Sequence, residues 1–337
     1  MLIYRYHKSP NSKEYDIKDK NGKIIKDKKI LDYVKSLVIP PAYQNVKIFY
    51  EKNPKILYEG FDDKGRKQQI YSEAWTKKAE KLKFKQLLKF GKKLPKIYLD
   101  INKNINNPEL TRDKIISLIL RIISVCYFRI GNIKYQKLYG SYGISNIRKK
   151  HIIWEKKSNR FKIKFIGKKG VLNECIVKDE LIIKEIKKIY NIKNSNDFMF
   201  TFNDVNNNSV LITAKEINDW LKKYDDIFTS KMFRTFDTNI LLIDFLRNIH
   251  IDPINNKKIN SPSSISQTQR KKNIVSAMKN ISECVNNTPA ICRKSYANND
   301  IINIYINNPV KYNKLFINDN NSYKNFLNFL EMNYKSE

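Results

Sequence analysis

Residues 114–131 read KIISLILRIISVCYFRIG, and the fold turns on that stretch. Ile115, Ile116, Leu118, Ile119, Ile122, Ile123 and Val125 leave almost no polar face, so a helix here is packed on nearly all sides and forms the centre of a domain. The run closes on Phe128-Arg129-Ile130-Gly131, with Gly131 as the expected helix end. Arg129 then sits at an edge of the core, where a guanidinium needs an anion or carboxylate to replace its lost hydration.

Toward the N-terminus the pattern becomes one of strands and turns. Residues 14–18 and 23–25 flank Asn21-Gly22, a hairpin signal. Ile30, Leu31, Val34 and Leu37 give one helical apolar face that stops at Pro40-Pro41. Short strands at 46–50 and 56–61 lead through Asp62-Asp63-Lys64-Gly65 into a strand carrying Arg66, Lys67, Gln68, Gln69 and Tyr71. Such side chains can reach phosphates and base edges in a major groove, although composition alone equally allows a solvated edge strand protected by its charges. A lysine-dense helix at 78–92 borders the junction, and a loop is expected near 102–107. The chain is read as α+β: a small strand-rich domain over residues 1–88, then a mainly α-helical domain with a small sheet over residues 89–337.

Beyond Gly131, strands are expected at 151–155, 160–166 and 171–177. The turn Gly167-Lys168-Lys169-Gly170 puts Lys168 on a hairpin tip. A lysine there is ordinarily just solvated, and gains a role only if the tip folds over a site. A helix over 179–190 follows, and Thr213-Ala214-Lys215-Glu216 is a capping box for a helix reaching Tyr224. Lys231-Met232-Phe233-Arg234-Thr235 precedes an apolar helix at 239–249, and a polar loop at 252–263 separates it from a helix at 264–285.

The segment Asn287-Thr288-Pro289-Ala290-Ile291-Cys292-Arg293-Lys294-Ser295-Tyr296 then reads as a loop entering a short helix. Thr288 is a capping residue and Pro289 suits the first turn, so the third turn presents Tyr296. A phenol with a pKa of about 10 is a poor nucleophile at neutral pH unless cations favour the phenolate or absorb charge developing on phosphate. With 20 tyrosines in the chain, position alone does not single this one out.

Composition narrows the partner. Lys and Arg number 65 against 33 acidic residues, a formal charge of +32 spread over all 337 residues, which implies a polyanion and, by default, nucleic acid that the protein wraps. No apolar run approaches the length of a membrane span and the N-terminus lacks a signal-peptide core, so a soluble, intracellular protein is expected. Cys126, Cys175, Cys284 and Cys292 show neither C-x-x-C nor histidine-partnered spacing, and His7, His151 and His250 are scattered. They read as reduced thiols with no zinc site and no disulfide framework.

Arg129, Lys168, Arg234, Asn287 and Tyr296, in that order, resemble the active site of type IB DNA topoisomerases of the short poxvirus-like and bacterial kind. Ile39-Pro40-Pro41-Ala42-Tyr43, Gly65-Arg66-Lys67-Gln68, Phe128-Arg129-Ile130-Gly131-Asn132, Gly140-Ser141-Tyr142-Gly143, Phe165-Ile166-Gly167-Lys168, Phe233-Arg234-Thr235 and the segment from Asn287 to Tyr296 look like that family's motifs in the family's order.

The resemblance implies a C-shaped clamp around double-stranded DNA, working as a monomer without an obligate protein partner, cofactor or metal. Tyr296 would form a 3′-phosphotyrosyl link, Arg129 and Arg234 would brace the nonbridging oxygens, and Lys168 would protonate the leaving 5′-oxygen, for which its pKa should fall below about 10.4. Asn287, where poxvirus-like members carry histidine, would donate to a nonbridging oxygen. Arg66, Lys67, Gln68, Gln69, Tyr71, Asn132, Tyr135 and Lys231 would contact DNA, with Gln69 and Asn132 standing where the viral enzymes have an aromatic residue and a lysine. A virion or host cytoplasm is implied for a viral source, the cytoplasm or nucleoid for a bacterial one. The alternatives are a tyrosine recombinase, against which Lys231 stands three residues before Arg234 where recombinases place histidine, and a noncatalytic DNA-packaging protein, for which the charge alone would suffice.

Overall fold

The structure is a computed structural model that describes residues 1–8, 14–155, 158–251, 257 and 259–335; the loop expected at 252–263 lies partly outside them. The chain divides into two units, Met1–Phe84 and Lys85–Glu337.

The first unit is a five-stranded antiparallel sheet with one helix. Its elements are β1 (Leu2–His7), β2 (Tyr15–Asp19), α1 (Lys28–Ser36), β3 (Gln44–Phe49), β4 (Ile56–Phe61) and β5 (Lys67–Tyr71), in the order β2-β1-β3-β4-β5. Ile3, Val46, Ile48 and Tyr58 turn inward from their strands and meet Val34 of α1. Asp27 caps α1 by accepting from the Lys29 and Ile30 amides. Buried Arg5 donates to the carbonyls of Ile39, Pro40 and Tyr43 at 3.2, 2.9 and 2.9 Å, which pins the Pro-Pro turn to the sheet.

The turn expected around Asn21-Gly22 forms, with an antiparallel bridge between Lys18 and Ile24 and bonds from the Asp19 amide to the Lys23 carbonyl and from the Ile25 amide to the Ile17 carbonyl (both 2.9 Å), but the strand that pairs with β2 along its length is β1. The sequence hides β1 because Arg5 occupies an inward position, which breaks the polar–apolar alternation of LIYRYH.

The unit boundary falls inside α2 (Glu73–Ile105), which runs on through Pro95. The loop expected at 102–107 therefore starts late, because Ile97, Ile101 and Ile105 recur at helical spacing and are fully buried.

Next, α3 (Arg112–Cys126) is the central helix of the second unit, with Ile115, Ile116, Leu118, Ile119, Leu120 and Ile122 inaccessible. It stops short of Gly131. Tyr127 takes a left-handed conformation (φ 55°) at the helix end, and Arg129 lies on the irregular segment that follows. The amides of Ile144 and Ser145 bond to the carbonyls of Arg129 and Ile130 at 2.9 and 2.7 Å, drawing this segment away from the helix axis. Between them lies α4 (Ile133–Tyr139), a helix with no buried residue and no signal in the hydrophobic pattern.

A three-stranded sheet follows: β6 (Ile152–Trp154), β7 (Phe161–Ile166) and β8 (Leu172–Val177), with β7 in the middle. Phe161, Ile163, Phe165 and Val177 face the core. Then come α5 (Glu180–Asn191), the hairpin β9 (Thr201–Asn203) and β10 (Ser209–Leu211), and α6 (Ala214–Lys222), opened by the Thr213–Glu216 capping box. The helices α7 (Lys231–Asn248), α8 (Gln267–Cys284), α9 (Pro289–Ser295), α10 (Asn299–Asn307), α11 (Pro309–Tyr312) and α12 (Ser322–Tyr334) complete the unit.

Contrary to the sequence reading, Arg234 lies within α7 and not ahead of it. The helix begins at Lys231 because Phe233 and Phe236 pack on Phe90 of α2, at ring-centroid distances of 5.0 and 6.2 Å.

Two of the four cysteines, expected as reduced thiols, are paired. Cys126, at the end of α3, and Cys175, on β8, are joined by a disulfide with their Cα atoms 5.6 Å apart. Spacing rules look for local pairs and are blind to partners separated by 49 residues. Cys284 and Cys292 are free thiols.

Candidate active site

Four separate segments of the second unit converge on one cavity of about 600 Å³. Phe128, Arg129 and Ile130 come from the segment after α3, Lys168 and Lys169 from the β7–β8 tip, Lys231 and Arg234 from α7, and Asn287, Ser295 and Tyr296 from α9 and its flanks.

Arg129 is delivered by two glycines that allow its segment to press against a neighbouring one. Gly131 has φ +104°, and a Cβ added to Gly143 would lie 2.3 Å from the Gly131 nitrogen. The two glycine-bearing motifs of the sequence are thus the two sides of one close contact. Lys168 is exposed on a tip closed by bonds from the Gly167 amide to the Val171 carbonyl (2.8 Å) and from the Gly170 amide to the Gly167 carbonyl (3.1 Å).

Arg234 is 3% exposed, and Nη2 donates to the Val285 carbonyl at 2.8 Å. Its Nε and Nη1 are buried with no well-formed hydrogen bond among the described residues, although the guanidinium stands close enough to the Tyr296 hydroxyl for hydrogen bonding to help lower the phenol. Leaving two buried cationic donors without a strong acceptor is unfavourable, so an arginine in this state beside a cavity is suited to an anion. Arg129 donates from Nη2 to the side-chain carbonyl of Asn287, whose own amide donates to the Val285 carbonyl at 3.3 Å. Asn287 therefore meets Arg129 with its oxygen, whereas the sequence reading had its amide aimed at phosphate.

Tyr296 is 5% exposed and follows α9 directly as its C-terminal cap, so the helix is a turn shorter than expected. Thr288 caps the other end, accepting from the Ile291 amide. Burial alone would push the Tyr296 hydroxyl up, but the charges of Arg234 and Arg129, hydrogen bonding to Arg234 and the charge of Lys231 together outweigh it, and the net displacement is below the usual phenol value. The Arg234 guanidinium lies 5.3 Å and the Lys231 ammonium 6.0 Å from the ring centroid.

Asn239, which the sequence reading passed over, fixes the chain on both sides of this residue. Its Nδ2 donates to the Tyr296 carbonyl (3.0 Å) and its Oδ1 accepts from the Asn298 amide (2.7 Å). The available signal was polarity in a core helix: Arg234, Thr235, Thr238 and Asn239 are all buried on α7.

Of the residues read as DNA contacts, Lys231 lines this cavity. Arg66, Lys67, Gln68, Gln69 and Tyr71 are on or beside β5 of the first unit, where Asp62 accepts from Arg66 and Gln68 (both 2.8 Å) and Glu59 from Gln69 (2.9 Å). Asn132 caps α4, and Tyr135 is exposed on that helix, stacked on Tyr139 at 6.1 Å.

A family model described as the catalytic core of eukaryotic DNA topoisomerase I matches residues 72–315, and one described as the N-terminal domain of bacterial DNA topoisomerase IB matches residues 14–62. The chain belongs to the DNA topoisomerase I family, an isomerase family. Its type is IB, as in DNA topoisomerase 1B of Acanthamoeba polyphaga mimivirus, which is 31% identical over 312 residues, covering 91% of this chain and 88% of that one. DNA topoisomerase 1B of Vaccinia virus (strain Copenhagen) is 25% identical over 296 residues, covering 82% and 85%, and DNA topoisomerase I of Monkeypox virus is 24% identical over the same length and shares. The recombinase and packaging readings are not favoured. No helix among the described residues is long and apolar enough to cross a membrane.

Proposed function

We propose that Tyr296 is the nucleophile and that Arg129, Lys168, Arg234 and Asn287 serve it. The phenolate attacks the scissile phosphate in line, a 3′-phosphotyrosyl bond forms, and the 5′-oxygen leaves with a proton from Lys168. Arg234, through its unpartnered Nε and Nη1, and Arg129 hold the nonbridging oxygens and stabilise the charge that grows in the transition state. Asn287 holds the Arg129 guanidinium in place. One phosphodiester is exchanged for another, so no nucleotide or metal is needed, and torsion in the DNA turns the free strand before religation. Both signs of supercoil relax by the same steps.

The observation that carries this reading is the buried Arg234 guanidinium, two of whose donors lack a well-formed hydrogen bond, in the cavity that Tyr296 lines. Residues 1–88 are read as the DNA-clamp domain and 89–337 as the catalytic domain, together wrapping the duplex as a monomer. Arg66, Lys67, Gln68, Gln69, Tyr71, Asn132, Tyr135 and Lys231 are read as its DNA contacts. The protein is read as acting inside the cell, in virion or host cytoplasm if the source is viral.

The test is relaxation of positively and negatively supercoiled plasmid with EDTA and without ATP, wild type beside Tyr296→Phe, with a denaturing trap for covalent adduct. Wild type alone should relax both and leave its adduct on a 3′ end. Adduct formation by Tyr296→Phe would refute the assignment.

A further inference from the structure

We propose that Cys126 and Cys175 are positioning residues for proton transfer: their disulfide ties the hairpin that carries Lys168 to the end of the helix that leads to Arg129. The proposal rests on the reading of Lys168 as the acid.

The residues of the tip do little to fix where it stands. Lys168, Lys169 and Gly170 are exposed, and the bonds that close the tip run within it, from Gly167 to Val171 and from Gly170 to Gly167. Its place over the cavity is set lower down, by the body of the hairpin. There the Tyr142 amide donates to the Ile166 carbonyl (2.8 Å), the Glu174 amide donates to the Asn286 side chain (3.3 Å), and Cys175 bonds covalently to Cys126. Cys175 is held in register opposite Ile163 of β7, so the anchor acts on both strands. Cys126 is buried, ends α3, and stands three residues before Arg129. The acid and one phosphate clamp are thereby linked through the disulfide, with three residues leading on to Arg129 and seven leading back along β8 to Lys168. A Cα separation of 5.6 Å lies in the ordinary disulfide range, so closing the bond needs no rearrangement of the backbone.

The redox step balances with a disulfide oxidant such as oxidised glutathione. The Cys175 thiolate attacks it, forming a mixed disulfide and releasing one glutathione thiolate. The Cys126 thiolate then attacks the Cys175 sulfur and releases the second. Two electrons pass to glutathione, and the two cysteine protons end on its two thiols.

The experiment is single-turnover cleavage of a suicide DNA duplex by the full chain in a Cys284→Ser background, which removes the exposed thiol. Protein oxidised with glutathione disulfide is compared with protein reduced by dithiothreitol, with mass spectrometry of alkylated peptides reporting the crosslink. Each form is run on a normal 5′-oxygen substrate and on one with 5′-bridging sulfur, whose thiolate leaves without needing a proton. Cys126→Ser/Cys175→Ser and Lys168→Ala variants run in parallel.

The oxidised form should cleave the oxygen substrate roughly ten- to a hundredfold faster than the reduced form. The two forms should match on sulfur, and the double serine variant should behave as reduced protein whatever the oxidant. Three results would overturn the proposal: no crosslink under oxidant, equal rates of crosslinked and reduced protein on oxygen, or a difference that persists on sulfur, since that would place the effect outside proton transfer. If Lys168→Ala cleaves the oxygen substrate at the wild-type rate, the reading of Lys168 fails, and that arm is scored separately from the cysteine arms.

Discussion

Arg129 and Asn287 stand 158 residues apart in the chain and share a hydrogen bond, with Nη2 of the guanidinium donating to the asparagine side-chain carbonyl. If Asn287 acts by holding Arg129, its loss should matter only while Arg129 is present. Arg129→Ala should slow cleavage by about 10²–10³, the usual effect of deleting a donor to transition-state charge, and Asn287→Ala by roughly tenfold. The double variant should be no slower than Arg129→Ala. A full product of the two effects in single-turnover kinetics would mean that Asn287 acts on the DNA independently.

Tyr296 owes its lowered proton affinity first to Arg234, against the opposing effect of burial. The phenolate is the nucleophilic form, so cleavage should rise with pH and level off as the phenol ionises. In Arg234→Ala the whole rise should move to higher pH. A profile that loses amplitude without moving would show that Arg234 acts only on phosphate.

Gly143 has room for no side chain, because a Cβ would meet the Gly131 nitrogen at 2.3 Å and its Cα at 2.4 Å. Both neighbours are backbone, so they cannot rotate away. Gly143→Ala should destabilise the protein by about 1–3 kcal/mol. It should also slow cleavage by displacing Arg129, whereas an unchanged melting temperature would show that the segment can yield.

Asp237 on α7 has Oδ2 buried without a hydrogen-bond partner among the described residues, and burial pushes its carboxyl up to about 8 from 3.8. Over that interval the folded chain holds a proton that the unfolded chain releases, so this group favours folding at low pH and the benefit is lost as pH rises through the window. Asp237→Asn keeps the shape without the titration. Urea unfolding at the two ends of the window should show a flatter pH dependence in the variant, and identical slopes would place the proton elsewhere.

Binding to duplex DNA should weaken steeply with salt, because 65 basic side chains offer many phosphate contacts and each contributes roughly −0.9 to the slope of log K against log salt. Arg66→Ala or Lys67→Ala should lower that slope by about one unit if the side chain reaches phosphate. Fluorescence anisotropy across a salt series measures it.

What could be read from the sequence was whatever repeats along the chain. The isoleucines of α3 announce a buried helix because each turn says the same thing, and the turn residues around Lys168 mark a hairpin tip. Single events were harder to see. The end of α3 is set by Tyr127 in a left-handed turn, and no glycine or proline marks it. The start of α7 is set by aromatic partners on α2, far off in sequence. The disulfide and the Arg129–Asn287 bond both join residues far apart in the chain, and no spacing rule reaches them. Asn239 left a trace as a polar residue among core positions, a trace equally consistent with an ordinary back-bonded helix side chain.

The two unpartnered nitrogens of Arg234 bear on more than catalysis. Without DNA, the second unit buries a cation two of whose donors make no well-formed hydrogen bond among the described residues. On the proposed role of Arg234, a phosphodiester oxygen would supply the missing acceptor. In that sense the DNA backbone completes the protein's interior, and the enzyme should be most resistant to heat at the moment it grips the strand it is about to cut.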